Sequence, residues 1–544
     1  MASGLVGTIL PAIGYLPGLG FDRPGLWPWR ELFDLPGFWT SSGLSLITGL
    51  TSTLLALLLA TAALSLGERY RFPRVLRRLL SPLLAVPHAA FAIGLAFLLA
   101  PSGWLVRLIS PWLTGFDRPP DIASVQDPFG IALILGLVLK EAPFLILVGG
   151  AALGNVAVGH HLGTAQSLGY RPTLAWFLVI LPQLYGALRL PIFAVLAFST
   201  SVVDMALVLG PTAPPPIAIR TLELMNDPEL SRRLVGAAAA LWQLGLVLIA
   251  VMIWLGVENL AGRVGRWRLA GGSRIGHLRW PALASTTIAT ILSLSALISV
   301  AVWSFAGRWR FPDALPSTWR PERWPETIDG LAPGITTTLG VGLVASLVAL
   351  ILATGCLEYE RHNQTNGGGE EQRWVPWLLY LPLLVPQISF LFGVQVMTAL
   401  TGLDGTLLAL ILVHLLFAFP YVFLSLAGPY RRFDGRYDVT ARTLGHSWLS
   451  SLLRIKLPIL MTALATAAAV GFAVSVSLYL PSVFVGAGRW PTLVVETMAL
   501  AVSGDRRAAA VAGALITLLP LIGFWTVAAL RRWQQSRHPA LRRF

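Results

Sequence analysis

Eleven apolar runs of spanning length divide this chain, near 41–66, 79–102, 129–154, 176–210, 234–256, 283–306, 331–355, 375–401, 405–427, 459–485 and 508–530. An α-helix needs about 20 consecutive apolar residues to cross the hydrocarbon core of a bilayer. The pattern therefore predicts an all-α polytopic membrane protein. With 55% of its 544 residues hydrophobic and 12% charged, the chain does not have the make-up of a soluble globular domain. Residues 5–19 form a shorter apolar stretch containing Pro11 and Pro17, with no basic region before it, and so do not read as a cleavable signal peptide. It reads either as the outer end of a first helix whose start is missing or mis-assigned, or as an interfacial segment. Counted as a helix, it raises the total to twelve.

The formal net charge of +14 comes from 40 basic and 26 acidic residues. In a soluble chain that excess would point to nucleic acid. Here the arginines gather at the ends of apolar runs, where they orient helices in a membrane. One side of the alternating topology collects Arg69, Arg71, Arg74, Arg77 and Arg78, then Arg263, Arg266, Arg268 and Arg274. The same side holds Arg431, Arg432, Arg436 and Arg442, and finally Arg531, Arg532, Arg542 and Arg543. The 307–330 loop on the other side balances four arginines against Asp313, Glu322, Glu326 and Asp329. The arginine-rich side, with the C-terminus, is thus expected in the cytoplasm. The lone Cys356 excludes an intramolecular disulfide framework and a thiol metal cluster.

Two polar segments inside this apolar chain share one design. Thr164-Ala165-Gln166-Ser167-Leu168-Gly169 and Thr440-Ala441-Arg442-Thr443-Leu444-Gly445 both read T-A-x-[ST]-L-G. In both, a Leu-Pro pair (Leu181-Pro182 and Leu457-Pro458) places its proline 13 residues after the glycine, and the copies are 276 residues apart. Six runs separate them, so both lie on the arginine-rich side and the halves are parallel repeats rather than inverted ones. Earlier in each half, Pro87-x3-Phe91-x2-Gly94 matches Pro386-x3-Phe390-x2-Gly393, and Leu54 to Thr61 matches Leu347 to Thr354. The division expected is 1–256 for the first half, 257–282 for a cytoplasmic linker and 283–544 for the second half. A flexible cytoplasmic loop is expected at Gly367-Gly368-Gly369.

Elementary helix chemistry says what the motif builds. Thr164, Thr440, or Asp438 just upstream can cap the first turn of a short helix. Ala165 and Ala441 favour helix and are small enough for another surface to come close. Gly169 and Gly445 suit the left-handed position that stops a helix, and Pro182 and Pro458 suit the first turn of the next one. The product is a short helix–turn–helix exposed at one face, twice.

At these residues the chain resembles the permease subunits of binding-protein-dependent ABC importers, whose cytoplasmic E-A-A-x3-G segment is followed by I-x-L-P at this spacing. The resemblance covers nearly the whole chain as two fused copies and is greatest to the thiamine, ferric-iron and sulfate permeases. It implies the type I importer permease fold, with about six transmembrane helices per half, in a bacterial-type inner membrane. It also implies partners: an ATP-binding subunit in two copies, engaged by Thr164, Ala165, Leu168, Gly169, Leu181 and Pro182 and by Asp438, Thr440, Ala441, Leu444, Gly445, Leu457 and Pro458. An extracytoplasmic solute-binding protein is implied at the other face. The family glutamate is replaced by Gly163 and Val439; Asp438 lies one residue early, and Arg171 and Arg442 are candidate polar contacts. ATP belongs on the partner, because the chain has only two lysines, Lys140 and Lys456, and neither follows a glycine as a phosphate-binding loop requires. No cofactor, catalytic residue or metal site is expected in the chain itself. A secondary transporter with parallel six-helix repeats is the alternative.

Lys140 and Glu141 fall mid-run, as does Asp204, with Arg189 nearer the start of its run. Charges at a helix centre cost roughly 2.5–3.5 kcal/mol each on insertion scales, so they face partners or a water-filled path. Two readings stand: a polar translocation path, or an ion-pair network joining Lys140 or Arg189 to Glu141 or Asp204. His88 and His414 read as packing or hydrogen-bonded residues, and Trp27, Trp29, Trp309, Trp319 and Trp324 as an interfacial belt or a docking surface.

Overall fold

The computed structural model describes residues 1–66, 83–270, 278–365 and 381–537. The orientation arginines at 69–78, Arg274, Arg542 and Arg543, and the glycines at 367–369, lie outside the described residues. Among those described, helices and turns account for the fold, with two isolated bridges, Leu16 to Phe21 and Ala306 to Trp319, and no strand.

The element order repeats. Phe38–Ser65, His88–Leu99, Ile131–Ala152 and the short Val158–Ser167 helix are followed by a helix from Pro172 to Ser201 and then Asp204–Leu209, Ile217–Met225 and Leu230–Ala270. The second series runs Arg323–Thr365, Gln387–Leu400, Leu407–Arg431, Arg436–Thr443, Trp448–Ser451 leading through Leu457–Ile459 to Met461–Ser477, then Tyr479–Gly486, Leu493–Ser503 and Arg506–Arg537. Equivalent hydrogen bonds mark the repeat. Thr61 and Thr354 each donate to the carbonyl four residues back, at 2.8 Å. Ile217 N donates to Ser45 Oγ at 3.0 Å as Leu493 N donates to Thr338 Oγ1 at 2.8 Å. Apart from Leu278, the stretch expected as a linker is helical where described, since Leu230–Ala270 runs on past 257 and the next helix starts at Arg279.

Nine described helices are long and apolar enough to cross a membrane, or ten if Trp448–Ile459 and Met461–Ser477, bent by 78°, form one span. The sequence predicts eleven or twelve. The N-terminal helix is Ala2–Ala12, 11 residues, which at about 1.5 Å per residue reaches only about half of a ~30 Å hydrocarbon core. Of the 375–401 run, the helix Gln387–Leu400 has 14 residues and 375–380 lies outside the described residues. The 176–210 run is not one helix but breaks between Ser201 and Asp204. Large apolar side chains such as Ile47, Leu347, Ile351, Met252 and Ile522 stay exposed on the outer faces, as lipid-facing surfaces require.

The halves interlock by exchanging a helix. Ala2–Ala12 lies on Gln387–Leu400 of the second series, and Arg279–Phe305 lies on His88–Leu99 of the first. Both crossings occur at a glycine. A Cβ on Gly393 would fall 1.8 Å from Gly4 O, and one on Gly94 would fall 2.4 Å from Ala296 O. Thr8 Oγ1 donates to Gly4 O and accepts from Gly393 N, both at 3.0 Å. This accounts for the repeated P-x3-F-x2-G: Pro87 and Pro386 are the residues at which these helices start, Phe91 and Phe390 are wholly buried, and the glycines admit the other half's backbone. Gly94→Val and Gly393→Val should each lower the thermal midpoint of the detergent-solubilised protein by about 2 °C or more, since overpacking costs about 1–3 kcal/mol even where side chains can yield. Gly340→Val, which meets open space, should leave the midpoint unchanged.

Candidate functional site

The two T-A-x-[ST]-L-G segments fold alike to the level of single hydrogen bonds. They occupy the helices Val158–Ser167 and Arg436–Thr443, and we call each helix with its following Leu-Pro an elbow. Thr164 Oγ1 donates to His160 O at 3.1 Å, and Thr440 Oγ1 to Arg436 O at 2.9 Å. Ser167 Oγ donates to Thr164 O at 2.7 Å, and Thr443 Oγ1 to Thr440 O at 2.8 Å. Tyr170 N reaches Ala165 O and His446 N reaches Ala441 O, both at 3.0 Å. Gly169 and Gly445 stop the helices with φ of +86° and +83°, where a residue bearing Cβ is strained.

Neither threonine is a cap. The helices start at Val158 and Arg436, upstream of Thr164 and Thr440, so each hydroxyl bonds the carbonyl one turn back. Asp438 does not cap either; it lies in the first turn with its carboxylate turned inward. The prolines stand where expected, in the first turn of the α-helical segments Leu181–Ser201 and Leu457–Ile459, and each segment continues from a five-residue π turn, Trp176–Ile180 and Leu452–Lys456. A π turn has already shifted the hydrogen-bond register, so the missing proline N–H is tolerated there. Beyond the proline the first helix continues to Ser201, whereas the second bends by 78°.

Of the side chains in the two hexapeptides, only the alanines are buried, Ala165 at 6% and Ala441 at 2% exposure. Leu168 and Leu444 stand 58% and 74% exposed at the elbow tips. Gly163 and Val439 are exposed as well, as is Arg171.

What lies beneath the elbows is different. At the 276-residue offset Leu162 and Ile180 correspond to Asp438 and Lys456. The first pair is buried in an apolar cluster with Val158 and Trp176. In the second, the Lys456 side chain is 1% exposed, and its Nζ lies 2.6 Å from Glu358 Oε2 and 3.4 Å from Asp438 Oδ2. Glu358 also accepts from Tyr430 Oη at 2.5 Å and Trp448 Nε1 at 3.2 Å. Asp438 accepts from Ser451 Oγ at 3.0 Å and lies 3.1 Å from Arg361. On the exposed rim, Arg436 beside Asp434 holds that carboxyl below its ordinary range. Glu358, Tyr430 and Trp448 were not singled out from sequence; the available signal was Lys456, one of only two lysines, placed just before Leu-Pro.

Deeper in the bundle, the four charged residues do not pair as expected. Lys140 Nζ donates to Leu83 O at 2.8 Å and Val86 O at 2.5 Å, carbonyls that the break at Pro87 leaves without helical partners. Glu141 Oε1 lies 3.0 Å from His88 Nε2. Arg189 is drawn away to Glu258 at 3.1 Å, whose other oxygen accepts from Tyr185 Oη at 2.6 Å. Asp204 accepts from Met205 N at 2.9 Å and is within electrostatic reach of His88 and Glu141, and of Tyr479 from the other half. Lys140, Glu141 and Asp204 are therefore neighbours and Arg189 is apart from them. His414 is a hydrogen-bonded core residue between Ser475 Oγ at 2.7 Å and Ser482 Oγ at 3.2 Å. Trp309 is buried beneath Arg107 rather than part of a belt. Among the described residues no three His, Cys, Asp or Glu side chains converge as a metal site.

The chain is 30% identical over 512 residues to the inner membrane ABC transporter permease protein YnjC of Escherichia coli, covering 93% of this chain and 90% of that protein. It is 28% identical over 266 residues to the molybdenum transport system permease protein ModB of Mycobacterium tuberculosis; that match spans 47% of this chain and 90% of ModB. A protein of the second kind therefore corresponds to about half of this one. No family model matches the chain.

Lys456→Met removes one member of the buried charge network and leaves Glu358 without its cation. Breaking a buried pair from one side costs about 3–5 kcal/mol. The variant should lose several degrees of thermal midpoint, while Ile180→Val, which trims one methyl from the first elbow's apolar cluster, should cost only about 0.5–1.5 kcal/mol. Fluorescence-detected size-exclusion melting curves would rank the two.

Proposed function

Because this chain belongs to the permease subunits of ABC transporters, integral to the inner membrane, we propose that it is the fused translocating subunit of an importer. A small solute, handed over by an extracytoplasmic binding protein, passes between its two halves, residues 1–256 and 283–544 joined by 257–282. Two copies of a separate ATP-binding subunit engage the elbows, which with the C-terminus face the cytoplasm. The observation that carries this reading is the pair of elbows: one backbone built twice, each burying its alanine and presenting an exposed leucine at its tip. An exposed leucine beside a small residue is what a docking cleft on another protein can cover. Arg442 and Arg171 flank those tips with charge.

The elbows are handles and the interior is the path. Closure of the ATPases on ATP draws the elbows together and turns the path from one side of the membrane to the other. ATP shifts that equilibrium only to the extent that it binds the two states unequally. His88, Glu141 and Asp204, with Tyr479 across from them, supply polar contacts along the path, and Lys140 holds the chain break beside it in shape. The chain performs no bond chemistry; hydrolysis takes place on the partner.

In a Cys356→Ser background, Leu168→Cys and Leu444→Cys should each cross-link to a nucleotide-hydrolysing subunit encoded with this chain. Leu168→Asp with Leu444→Asp should abolish its co-purification. Uptake that persists in ATP-depleted vesicles and collapses with the proton gradient would instead make this a secondary transporter. Glu141→Gln and His88→Ala should lower uptake about tenfold, a loss of roughly 1.4 kcal/mol, with ATPase capture unchanged, as measured by radiolabelled-solute accumulation in proteoliposomes.

A further inference from the structure

The two elbows share a backbone yet are joined to the bundle by different physics. We propose that Lys456 and Glu358 are positioning residues that lock the second elbow to the Arg323–Thr365 helix, so that its motion enters the bundle there, whereas the first elbow transmits motion along its own helix. The inference rests on the coupling role proposed above.

Three observations lead to it. The helix that leaves the first elbow runs on to Ser201, while the one that leaves the second bends by 78° between Ile459 and Met461. A push on the second elbow therefore has no straight rod to travel along. Among the described residues, at that elbow alone the network reaches a different long helix: Glu358 on Arg323–Thr365 is joined to Lys456 at 2.6 Å, to Tyr430 at the end of Leu407–Arg431 at 2.5 Å, and to Trp448 at 3.2 Å. Asp438 on the elbow helix closes the set through Lys456 at 3.4 Å and Arg361 at 3.1 Å.

The third observation concerns why charges are used. Replacing a buried ion pair by apolar residues is often neutral or stabilising, so such a pair is weak evidence of a stability role. The first elbow demonstrates the apolar solution at the equivalent positions, with Leu162 at 9% and Ile180 at 0% exposure. Apolar contact is non-directional and tolerates sliding. Hydrogen bonds to a buried ammonium weaken steeply once their angle falls below about 120°, so they hold two elements in one register. The charged set sits where register is needed, beside the bend.

The test uses the complete complex, with ATPase and binding protein, in proteoliposomes. Nitroxides are placed on the native Cys356, exposed on the Arg323–Thr365 helix, and on Thr443→Cys at the elbow. In the otherwise native protein the Cys356–443 distance distribution should stay the same with and without ATP plus vanadate. Glu358→Gln with Lys456→Met removes both charges without leaving either alone. That double variant should still capture the ATPase and keep basal hydrolysis, while binding-protein stimulation falls by about 5-fold or more and the distance distribution broadens with ATP. Glu358→Gln alone gives the same readings if the double variant fails to assemble, because it keeps partners for Tyr430 and Trp448. Undiminished stimulation with a narrow distribution in the variant would overturn the lock and reduce the network to a structural role. A distance that shifts with ATP in the native protein would overturn it too. If the native chain captures no ATPase, the coupling reading itself fails and the lock falls with it, an outcome separable from the other two.

Discussion

Backbone polar groups at helix breaks must find partners wherever the surroundings are apolar, and much of this structure follows from how that requirement is met. An unsatisfied N–H or C=O costs several kcal/mol in hydrocarbon. The break before His88 leaves carbonyls that Lys140 takes up, and the start of Ile131–Ala152 is held by Asp127, which accepts from Ile131 N at 2.8 Å and Ala132 N at 2.9 Å. Ser45 and Thr338 accept the first amides of two short helices that return into the bundle. Gln243 donates to Thr200 O at 2.9 Å, beside the break after Ser201. At these breaks the chain can interrupt its helices inside the bundle because side chains supply the partners that the backbone has lost.

The same rule explains why the two halves keep their backbone while their side chains drift. Serine at 45 and threonine at 338 do one job with different residues. Gly94 and Gly393 are alike because no side chain fits between backbones at those crossings. Leu162 and Ile180 against Asp438 and Lys456 are unlike because a pocket can be filled by apolar bulk or by a satisfied ion pair. Twofold backbone geometry therefore does not require twofold chemistry.

How much of this is legible in the sequence depends on whether the signal is local. The elbows are legible because a glycine at positive φ and a proline at fixed distance leave a mark in residue type, and both copies carry it. The P-x3-F-x2-G pair is visible as a repeat, but its meaning lies in Gly4 and Ala296, residues more than 200 positions away with no distinctive type. The threonine hydroxyls are misleading because Thr164 can cap or back-bond, and only the helix start at Val158 decides. The partners of Lys140 are backbone carbonyls, which every residue has. Arg189 pairs with Glu258, in a stretch whose composition suggests a linker; the helix that carries Glu258 beside Tyr185 is apparent only in three dimensions. Spans fail at the ends: a run of apolar letters does not record that Val202 and Val203 interrupt it.

Under the proposed coupling, asymmetry beneath two symmetric elbows has a mechanical consequence. If two identical motors pull on two elbows, equal forces reach the path by unequal routes, one through a continuous helix and one through a cluster of hydrogen bonds. A continuous helix transmits displacement along its axis, into the segment that ends at Ser201 and hands on to Asp204. A bent helix dissipates axial displacement at its bend, so the second half must deliver force sideways, to the Arg323–Thr365 helix and the residues packed on it. Asp204, which follows the end of the first route, would then be moved along a helix axis, and the residues packed on Arg323–Thr365 across theirs, by one closing step.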